Sequence, residues 1–363
     1  MRLLAQSPVV TESERRGHTL AWKEVVARYQ QPSLWRSVFQ IINSVVPYVV
    51  LWVLMYRSLA VSYWITAPLA ILAGGFLGRV FIIHHDCGHG SFFKSRRAND
   101  LVGFITGVLT FTPYGHWRWT HAVHHAGSSD LDRRDLGSVR TWTVQEYLDA
   151  PLWKRLAYRL MRNPFVLFVL TPTVLFLVLH RFSASRAGRR DRHSVYLTNL
   201  AILGVAVLLS FWMGLKAYLV IQLSVMVVTG TWGVWLFYVQ HQFEGVSWQR
   251  HDEWDYTRAA LQGSSFYKLP RILQWFSGNI GYHHVHHLSP RIPNYYLEKC
   301  HNEEPLFRSV PPLTLLASLK SLTFRLWDEP HQRLVGFGYL KTLRGPKSSD
   351  RFPDQSLRPS DTA

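Results

Sequence analysis

The chain has 363 residues, a formal net charge of +17 and 48% hydrophobic side chains. No Asp, Glu, Lys or Arg lies between positions 57 and 79, 193 and 216, or 216 and 244, and each interval supplies the roughly 20 residues that cross a bilayer. An ordinary soluble protein is therefore excluded. The two cysteines, Cys87 and Cys300, exclude a disulfide scaffold, and basic side chains spread over loops favour anionic lipid headgroups over nucleic acid.

The chain begins with a polar stretch that is predicted to be a cytoplasmic N-terminal segment, residues 1–36. Within it, apolar residues recur at helical spacing, and they are Trp22, Val25, Val26 and Tyr29. This spacing predicts an amphipathic helix that lies on the membrane surface or, equally, packs on the protein. Residues 345–363 are rich in Pro, Ser and charge and predict a disordered tail. The interval 37–344 is then a single membrane domain.

Six apolar runs are candidates for membrane segments: 37–56, 58–80, 101–115, 164–180, 195–214 and 217–240. The run at 101–115 is short for a span and is predicted to be re-entrant or interfacial. If 164–180 crossed the membrane, the five arginines between positions 181 and 192 would lie outside, against the positive-inside tendency. We therefore predict that this run dips into the membrane and returns.

Four spans then remain, arranged as two hairpins, with Arg57 and Lys216 on the outer side. The predicted fold is an all-α integral membrane protein with four transmembrane helices. Re-entrant or interfacial helices accompany the spans, and a cytoplasmic helical cap carries the histidine-rich stretches described next.

Histidines are concentrated in a few short stretches that this topology brings to the cytoplasmic ends of the spans. "HHDCGHG" places His85 and His89 four residues apart, on one face of a helix. "HAVHH" and "HHVHH" repeat one H-x-x-H-H pattern, and a further histidine ends the last span. These residues are His121, His124, His125, His283, His286, His287 and His241.

Nine imidazoles are too many for one first-row metal ion, which takes four to six ligands, and are about right for two. Structural zinc sites prefer cysteine, and no cysteine pair is available. The alternative is a set of hydrogen-bonded core histidines, which one H-x-x-x-H pair would not exclude. Two H-x-x-H-H patterns at the same membrane face favour a dinuclear metal site.

These motifs resemble those of the membrane fatty acid desaturases. "HHDCGHGSFFKSRRAND", "HHAGSSDLDRRDLG", "QHQFEG" and "GYHHVHHLSPRIPNYYL" are similar to the acyl-lipid Δ12 (ω6) and ω3 branch, over roughly 39–301. The resemblance implies an O₂-dependent di-iron centre whose ligands are the nine histidines. It also implies insertion of a cis double bond into a membrane-lipid acyl chain, oleate to linoleate, with ω3 desaturation as the alternative. Phe237 stands where the acyl-CoA Δ9 branch has an asparagine that holds a metal-bound water.

Other residues near the histidines have weaker predictions. His84 and His284 are predicted to be structural or to orient ligands, and His116 to be structural or to contact headgroups. Some nearby carboxylates should orient imidazoles unless they form a solvated charge cluster; they are Asp86, Asp130, Asp132, Asp135 and Glu244. Three tryptophans could line an acyl channel or belong to an interfacial aromatic belt: Trp117, Trp119 and Trp142.

The chain has no Gly-rich dinucleotide motif and no appended haem domain. Electrons are therefore expected from an external donor, and a basic cytoplasmic face suits an acidic ferredoxin. Three other functions share parts of the pattern: a hydroxylase or ketolase of the same superfamily, a zinc-dependent membrane hydrolase, and a metal transporter. A transporter would place its polar residues near the middle of the spans, whereas these histidines lie at the ends.

Overall fold

A computed structural model of the protein describes residues 22–134, 139–183 and 187–343. Within those ranges the chain is predominantly helical, which confirms the predicted all-α class. The predicted tail at 345–363 and the carboxylate of Asp135 lie outside the described residues.

Ten helices are described up to the end of the last apolar run. They are α1 (22–29), α2 (Leu34–Leu59), α3 (Tyr63–His89), α4 (Arg96–Leu109), α5 (Tyr114–Ala126), α6 (Val144–Asp149), α7 (Leu152–Met161), α8 (Thr171–Leu177), α9 (Arg189–Met213) and α10 (Leu215–His241). A π-helical turn at Val166–Leu170 precedes α8, and a 3₁₀ turn at Leu179–Arg181 follows it.

The remainder of the chain forms a cap of short elements. They are α11 (Tyr256–Gln262), β1 (Phe266–Lys268), α12 (Arg271–Phe276), α13 (His283–Leu288), α14 (Asn294–Glu303), α15 (Pro305–Arg308), β2 (Pro312–Thr314), α16 (Leu315–Ser318), a 3₁₀ turn (Leu319–Thr323), β3 (Leu326–Asp328), β4 (Arg333–Val335) and α17 (Tyr339–Thr342). Strands β1 and β2 pair in parallel with Phe266 opposite Pro312, and β3 and β4 pair antiparallel with Leu326 opposite Val335.

Four helices are long and apolar enough to cross a membrane: α2, α3, α9 and α10. They have 25 to 27 residues, and at about 1.5 Å per residue this exceeds the roughly 30 Å of a hydrocarbon core. Each hairpin has a short connection. Gly214 alone joins α9 to α10, at a φ of +85° that side chains other than glycine rarely adopt. The structure thus contains four candidate spans in two hairpins, the number and pairing that the sequence predicted.

The spans of the two hairpins touch where α3 crosses α10. A Cβ atom at Gly74 would lie 2.5 Å from Cγ1 of Val228, so only glycine permits this approach. The hydroxyl of Thr229 donates a hydrogen bond to the Gly74 carbonyl at 3.2 Å. This contact brings the histidine-bearing ends of α3 and α10 to the same region.

The second span extends further than the sequence predicted. We expected it to end at residue 80, after Arg79, but α3 continues to His89. The guanidinium of Arg79 is buried, donates a hydrogen bond to the Trp275 carbonyl and lies 4.0 Å from the Trp275 ring centroid. Because this cation has a partner, the helix passes it without interruption. The first histidine pair therefore stands on the span itself.

The two short apolar runs form no straight span. The run at 101–115 is divided between α4 and α5, and one of the four residues between them, Phe111, has a φ of +56°. The run at 164–180 follows α7 after a bend of 66°. Its Pro172 packs against α10, where a Cβ at Gly230 would lie 3.0 Å from Cβ of the proline. A bend of this size is what a re-entrant segment requires, and the return to the same membrane side stays a prediction.

The largest apolar cluster ties the spans to the cap. Ile82 of α3, Val239 of α10 and Val285 of α13 are buried in it. The four apolar side chains of α1 belong to the same cluster, so this face of the helix packs on protein and not on lipid. Of the two placements that the sequence allowed for this helix, the structure has the second.

Candidate metal centre

The first two histidines lie at the C-terminal end of α3. His85 is buried and His89 is half-buried, and their ring centroids lie 4.7 Å apart because four residues make about one helical turn. The helix ends directly after His89 at Gly90, which has a φ of +69°. The backbone N–H of Gly90 donates to the carbonyls of Asp86 and Cys87, so the last turn that carries the pair is closed by backbone hydrogen bonds.

The other seven histidines come from three further elements. Helix α5 carries His121, His124 and His125, the short helix α13 carries His283, His286 and His287, and His241 is the last residue of α10. All nine predicted residues therefore converge at one end of the four spans.

The nine side chains divide into two groups, and within each group one nitrogen atom of every imidazole lies within 4.8 Å of the others. The first group has five members: His85, His89, His121, His125 and His286. The second group has four: His124, His241, His283 and His287. The two groups are adjacent, since the ring of His125 stacks on that of His287 at a centroid distance of 4.2 Å.

The spacing of the nitrogen atoms suits metal ligation. In the second group, Nε2 of His241 lies 3.1 Å from Nε2 of His124 and 3.0 Å from Nε2 of His283. In the first group, Nε2 of His125 lies 3.1 Å from Nε2 of both His121 and His286. Two ligands that hold one ion at about 2.1 Å and at right angles are about 3.0 Å apart. The residues present therefore fit two ions, one in each group.

Burial keeps these imidazoles in the neutral form that binds metals. It lowers the pKa of His121, His124, His125, His283, His286 and His287 well below the usual value, and the neighbouring imidazoles add to the effect. Nε2 of His89 and Nε2 of His287 are enclosed and have no hydrogen-bond partner among the described residues. Such nitrogens are costly to bury unless an ion occupies the space they face.

One carboxylate orients a histidine of the first group. Oδ1 of Asp86 lies 3.0 Å from Nδ1 of His85, and its Oδ2 accepts hydrogen bonds from Asn294. A carboxylate at Nδ1 favours the tautomer that carries a proton there and leaves Nε2 free as a ligand. Asp86 is only 1% exposed, so solvent does not compete for these bonds.

The other carboxylates of this set that the structure describes have partners outside the nine histidines. Asp130 lies 2.7 Å from Nδ1 of His251, and Asp132 pairs with Arg250 at 2.7 Å. Glu244 pairs with Lys320 on the surface. Of the nearby carboxylates that the structure describes, only Asp86 bonds to one of the nine histidines; Asp132 belongs to an exposed charge cluster, whereas Asp130 is buried.

His84 and His284, which adjoin two of the nine histidines in sequence, have structural partners. Nδ1 of His84 lies 2.9 Å from the Gly103 carbonyl and so joins α3 to α4. Nε2 of His284 lies 3.0 Å from Nδ1 of His301, within the cap. His116 packs against Trp119 at a ring distance of 6.0 Å, outside both groups.

The three tryptophans have different surroundings. Trp117 stacks on His121 at 4.4 Å and crosses α3 where a Cβ at Gly88 would meet its ring at 2.7 Å, so the glycine of the first motif makes room for it. Trp142 stacks on Tyr158 at 4.5 Å, in a separate aromatic cluster. Phe237 contacts the second group, with ring distances of 5.1 Å to His124 and 5.2 Å to His241.

Sequence reasoning missed the polar residues that hold His241 in place. Gln240 donates to the Ile280 carbonyl at 2.9 Å, which ties the end of α10 to the segment that leads into α13. Gln242 accepts from the buried guanidinium of Arg162 at 2.9 Å. The "QHQ" motif could have indicated these contacts. When a buried histidine has a glutamine on each side, both side-chain amides need hydrogen-bond partners.

The architecture defines a mostly helical membrane protein whose clustered histidines can hold metal ions. A family model for fatty acid desaturases matches residues 62–312. A fatty acid desaturase of Bacillus subtilis is 48% identical over 333 residues, which cover 92% of this chain and 95% of that protein. The chain belongs to the fatty acid desaturase family.

More distant relatives carry more specific names. An sn-1 oleoyl-lipid 12-desaturase of Synechocystis sp. is 28% identical over 263 residues, 68% of this chain and 70% of that protein. An sn-1 acyl-lipid omega-3 desaturase (ferredoxin) of Nostoc sp. is 25% identical over 306 residues, 77% of this chain and 81% of that protein.

Proposed function

We propose that the protein binds two iron ions through its nine clustered histidines and uses O₂ to insert a cis double bond into a membrane-lipid acyl chain. The observation that carries the proposal is the division of the nine imidazoles into adjacent groups of five and four at the ends of the spans. The ligands of the first ion are the five-histidine group, and those of the second are the four-histidine group.

The reaction needs a cofactor because no amino-acid side chain removes hydrogen from an unactivated methylene. Bound iron supplies the activation of O₂. Formation of one double bond removes two protons and two electrons, as two hydrogen atoms, from the acyl chain. With two more electrons from a donor and two more protons, O₂ becomes two water molecules. The protein's own part is to keep the imidazoles neutral and oriented, as burial and Asp86 do, and to hold one C–C bond of the chain beside them.

A small cavity beside the second group has a mostly apolar exposed surface, which favours an apolar substrate there. His124 and His241 line it with Leu131, Phe237 and Trp248, and the charged side chains of Asp130 and Arg134 line it as well. A site at the end of the spans lets a lipid tail approach from the bilayer without leaving it. We assign the histidine-bearing ends of the spans to the cytoplasmic face of the membrane, because the loops rich in Lys and Arg lie at these ends.

The bond is proposed at Δ12, with oleate as substrate and linoleate as product. The motif resemblance supports this position, as do relatives named sn-1 oleoyl-lipid 12-desaturase in Synechocystis and Picosynechococcus, both 28% identical. Omega-3 desaturation is the second candidate, because relatives of that name are 25% to 28% identical. Two of the omega-3 relatives are named with ferredoxin, which supports a ferredoxin as the electron donor.

The test is expression in a host that makes oleate but no dienes, followed by gas chromatography and mass spectrometry of derivatives that locate each double bond. The expected product is 18:2 with bonds at Δ9 and Δ12. Change seen only after linoleate is fed, giving a triene, would favour the omega-3 activity. A new bond at another position would reject Δ12 but not desaturation, and a hydroxy fatty acid as main product would reject desaturation. His124→Ala serves as the inactive control.

A further inference from the structure

A second pocket lies beside the first histidine group and is lined mainly by polar side chains. His89 lines it with four cationic side chains and one carboxylate: Lys94, Arg96, Arg118, Arg291 and Asp100. We call it the His89 pocket. The cations come from the loop after α3, the start of α4, the middle of α5 and the loop before α14, so elements distant in sequence build it together.

The pocket has an excess of positive charge. Asp100 is shared by two cations, at 3.3 Å from Arg118 and 3.9 Å from Arg96. Lys94 and Arg291 are exposed and form no ion pair with any residue that the structure describes. Two unpaired cations beside a half-buried histidine give this surface a positive potential that attracts acidic partners.

The two histidine groups therefore open to different surroundings. The second group faces the small cavity whose exposed surface is mostly apolar, although Asp130 and Arg134 also line it. The His89 pocket has no large apolar side chain among its described lining residues, so a lipid tail has nothing to bury against there. Its His89 belongs to the five-histidine group and is also reached from the pocket.

We propose that the His89 pocket is the docking site of an acidic one-electron carrier protein, and that the His89 ring is the protein group between carrier and metal. The inference rests on the proposed function, because that function requires two electrons from outside for each double bond. A one-electron carrier docks twice per turnover, and each time it is oxidised by one electron that passes to the centre. Carboxylates around the carrier's cofactor would pair with Lys94 and Arg291.

The experiment compares two double variants of the full chain, purified in neutral detergent. The pocket variant, Lys94→Glu with Arg291→Glu, reverses the charge of two cations that line the His89 pocket. The control variant, Lys268→Glu with Arg258→Glu, reverses the charge of two exposed cations of the cap outside the pocket. The probe is a plant-type ferredoxin, and its Kd is measured at low and high salt. We expect the pocket variant to raise the Kd roughly tenfold or more at low salt, with a weaker salt dependence, and the control variant to stay within about twofold.

Equal ferredoxin affinity in the pocket variant and the unmodified protein would overturn the proposal. So would a pocket variant that keeps ferredoxin affinity but loses binding to phosphatidylglycerol vesicles, since the pocket would then serve a lipid headgroup. Iron content and elution volume report whether each variant is folded. The proposed function is tested separately by the fatty acids of the expressing host: absence of any new double bond would reject desaturation, whereas ferredoxin affinity alone decides the docking site.

Discussion

Asn294 donates two hydrogen bonds to a single oxygen of Asp86, from its backbone N–H at 2.7 Å and from its side-chain amide at 2.8 Å. The other oxygen of Asp86 faces Nδ1 of His85 at 3.0 Å. One buried carboxylate thus fixes a histidine of α3 and the start of α14, the helix that follows the third histidine motif. The orientation of His85 is thereby coupled to the fold of the cap.

Asp86→Asn should weaken iron binding by about 10- to 100-fold, the usual effect of removing a carboxylate that orients a metal-bound histidine. The asparagine amide keeps one acceptor oxygen and replaces the other by a donor, so the bonds to His85 and Asn294 cannot both persist. Competition with a chelator measures the affinity. Asp252→Asn, an exposed aspartate of the cap, is the matched control. Affinity unchanged in Asp86→Asn would show that the carboxylate only packs the fold.

His124→Ala should reduce the iron content from about two to about one per chain and abolish desaturation, because it removes one of four ligands from the second group. The spans are untouched, so the variant should still insert in membranes. Phe237→Leu is the control: its ring touches His124 and His241 but carries no ligand atom, and two irons should remain. Loss of iron in both variants, or active protein that contains only zinc, would contradict the assignment.

The spans were predictable because a charge-free run of sufficient length indicates a membrane helix whatever the helix packs against. The end of α3 was not, because the residue that accommodates Arg79 is Trp275, 196 positions further along the chain. Hydropathy predicted that the span ends at residue 80, directly after the charge of Arg79. Because Arg79 has a partner in the folded protein, the helix continues for nine more residues, to His89. The same limit applies to Asp86 and Asp130, both close to histidines in sequence, of which only Asp86 touches the cluster.

The identity of the nine histidines followed from spacing, but their division did not. Sequence neighbours separate: His124 joins the four-histidine group and His125 the five-histidine group, and His286 and His287 separate in the same way. Successive residues of a helix point about 100° apart, so each H-x-x-H-H motif contributes to both groups. Which residue serves which group depends on how α5 and α13 are rotated against α3 and α10, and a single sequence holds no record of that rotation.

Gly74→Ala should destabilise the protein by about 1–3 kcal/mol, because the added methyl would overlap Val228 where α3 crosses α10. Gly204→Ala in α9 is the matched control, since no atom of the described residues lies within 4 Å of the position that its methyl group would take, and alanine is the better helix former. Thermal unfolding in detergent measures both. Equal unfolding midpoints in the two variants would mean that moving α3 away from α10 costs no free energy of unfolding. The close crossing would then not be what positions the histidines.

The arginines that follow the bent segment should lie on the same side of the membrane as the histidines, because the segment dips in and returns. Ser185, in the middle of that stretch, is outside the described residues, but Arg190 at the start of α9 is exposed. Arg190→Cys should therefore react with an impermeant thiol reagent only after the membrane is opened. Val61→Cys, 76% exposed between α2 and α3, should react in intact cells, and the native Cys87 and Cys300 are buried and give little background. Labelling of Arg190→Cys in intact cells would make the bent segment a fifth span. His241 would then lie across the membrane from His85, which is incompatible with the two adjacent histidine groups. One measurement therefore tests both the four-span topology and the histidine site.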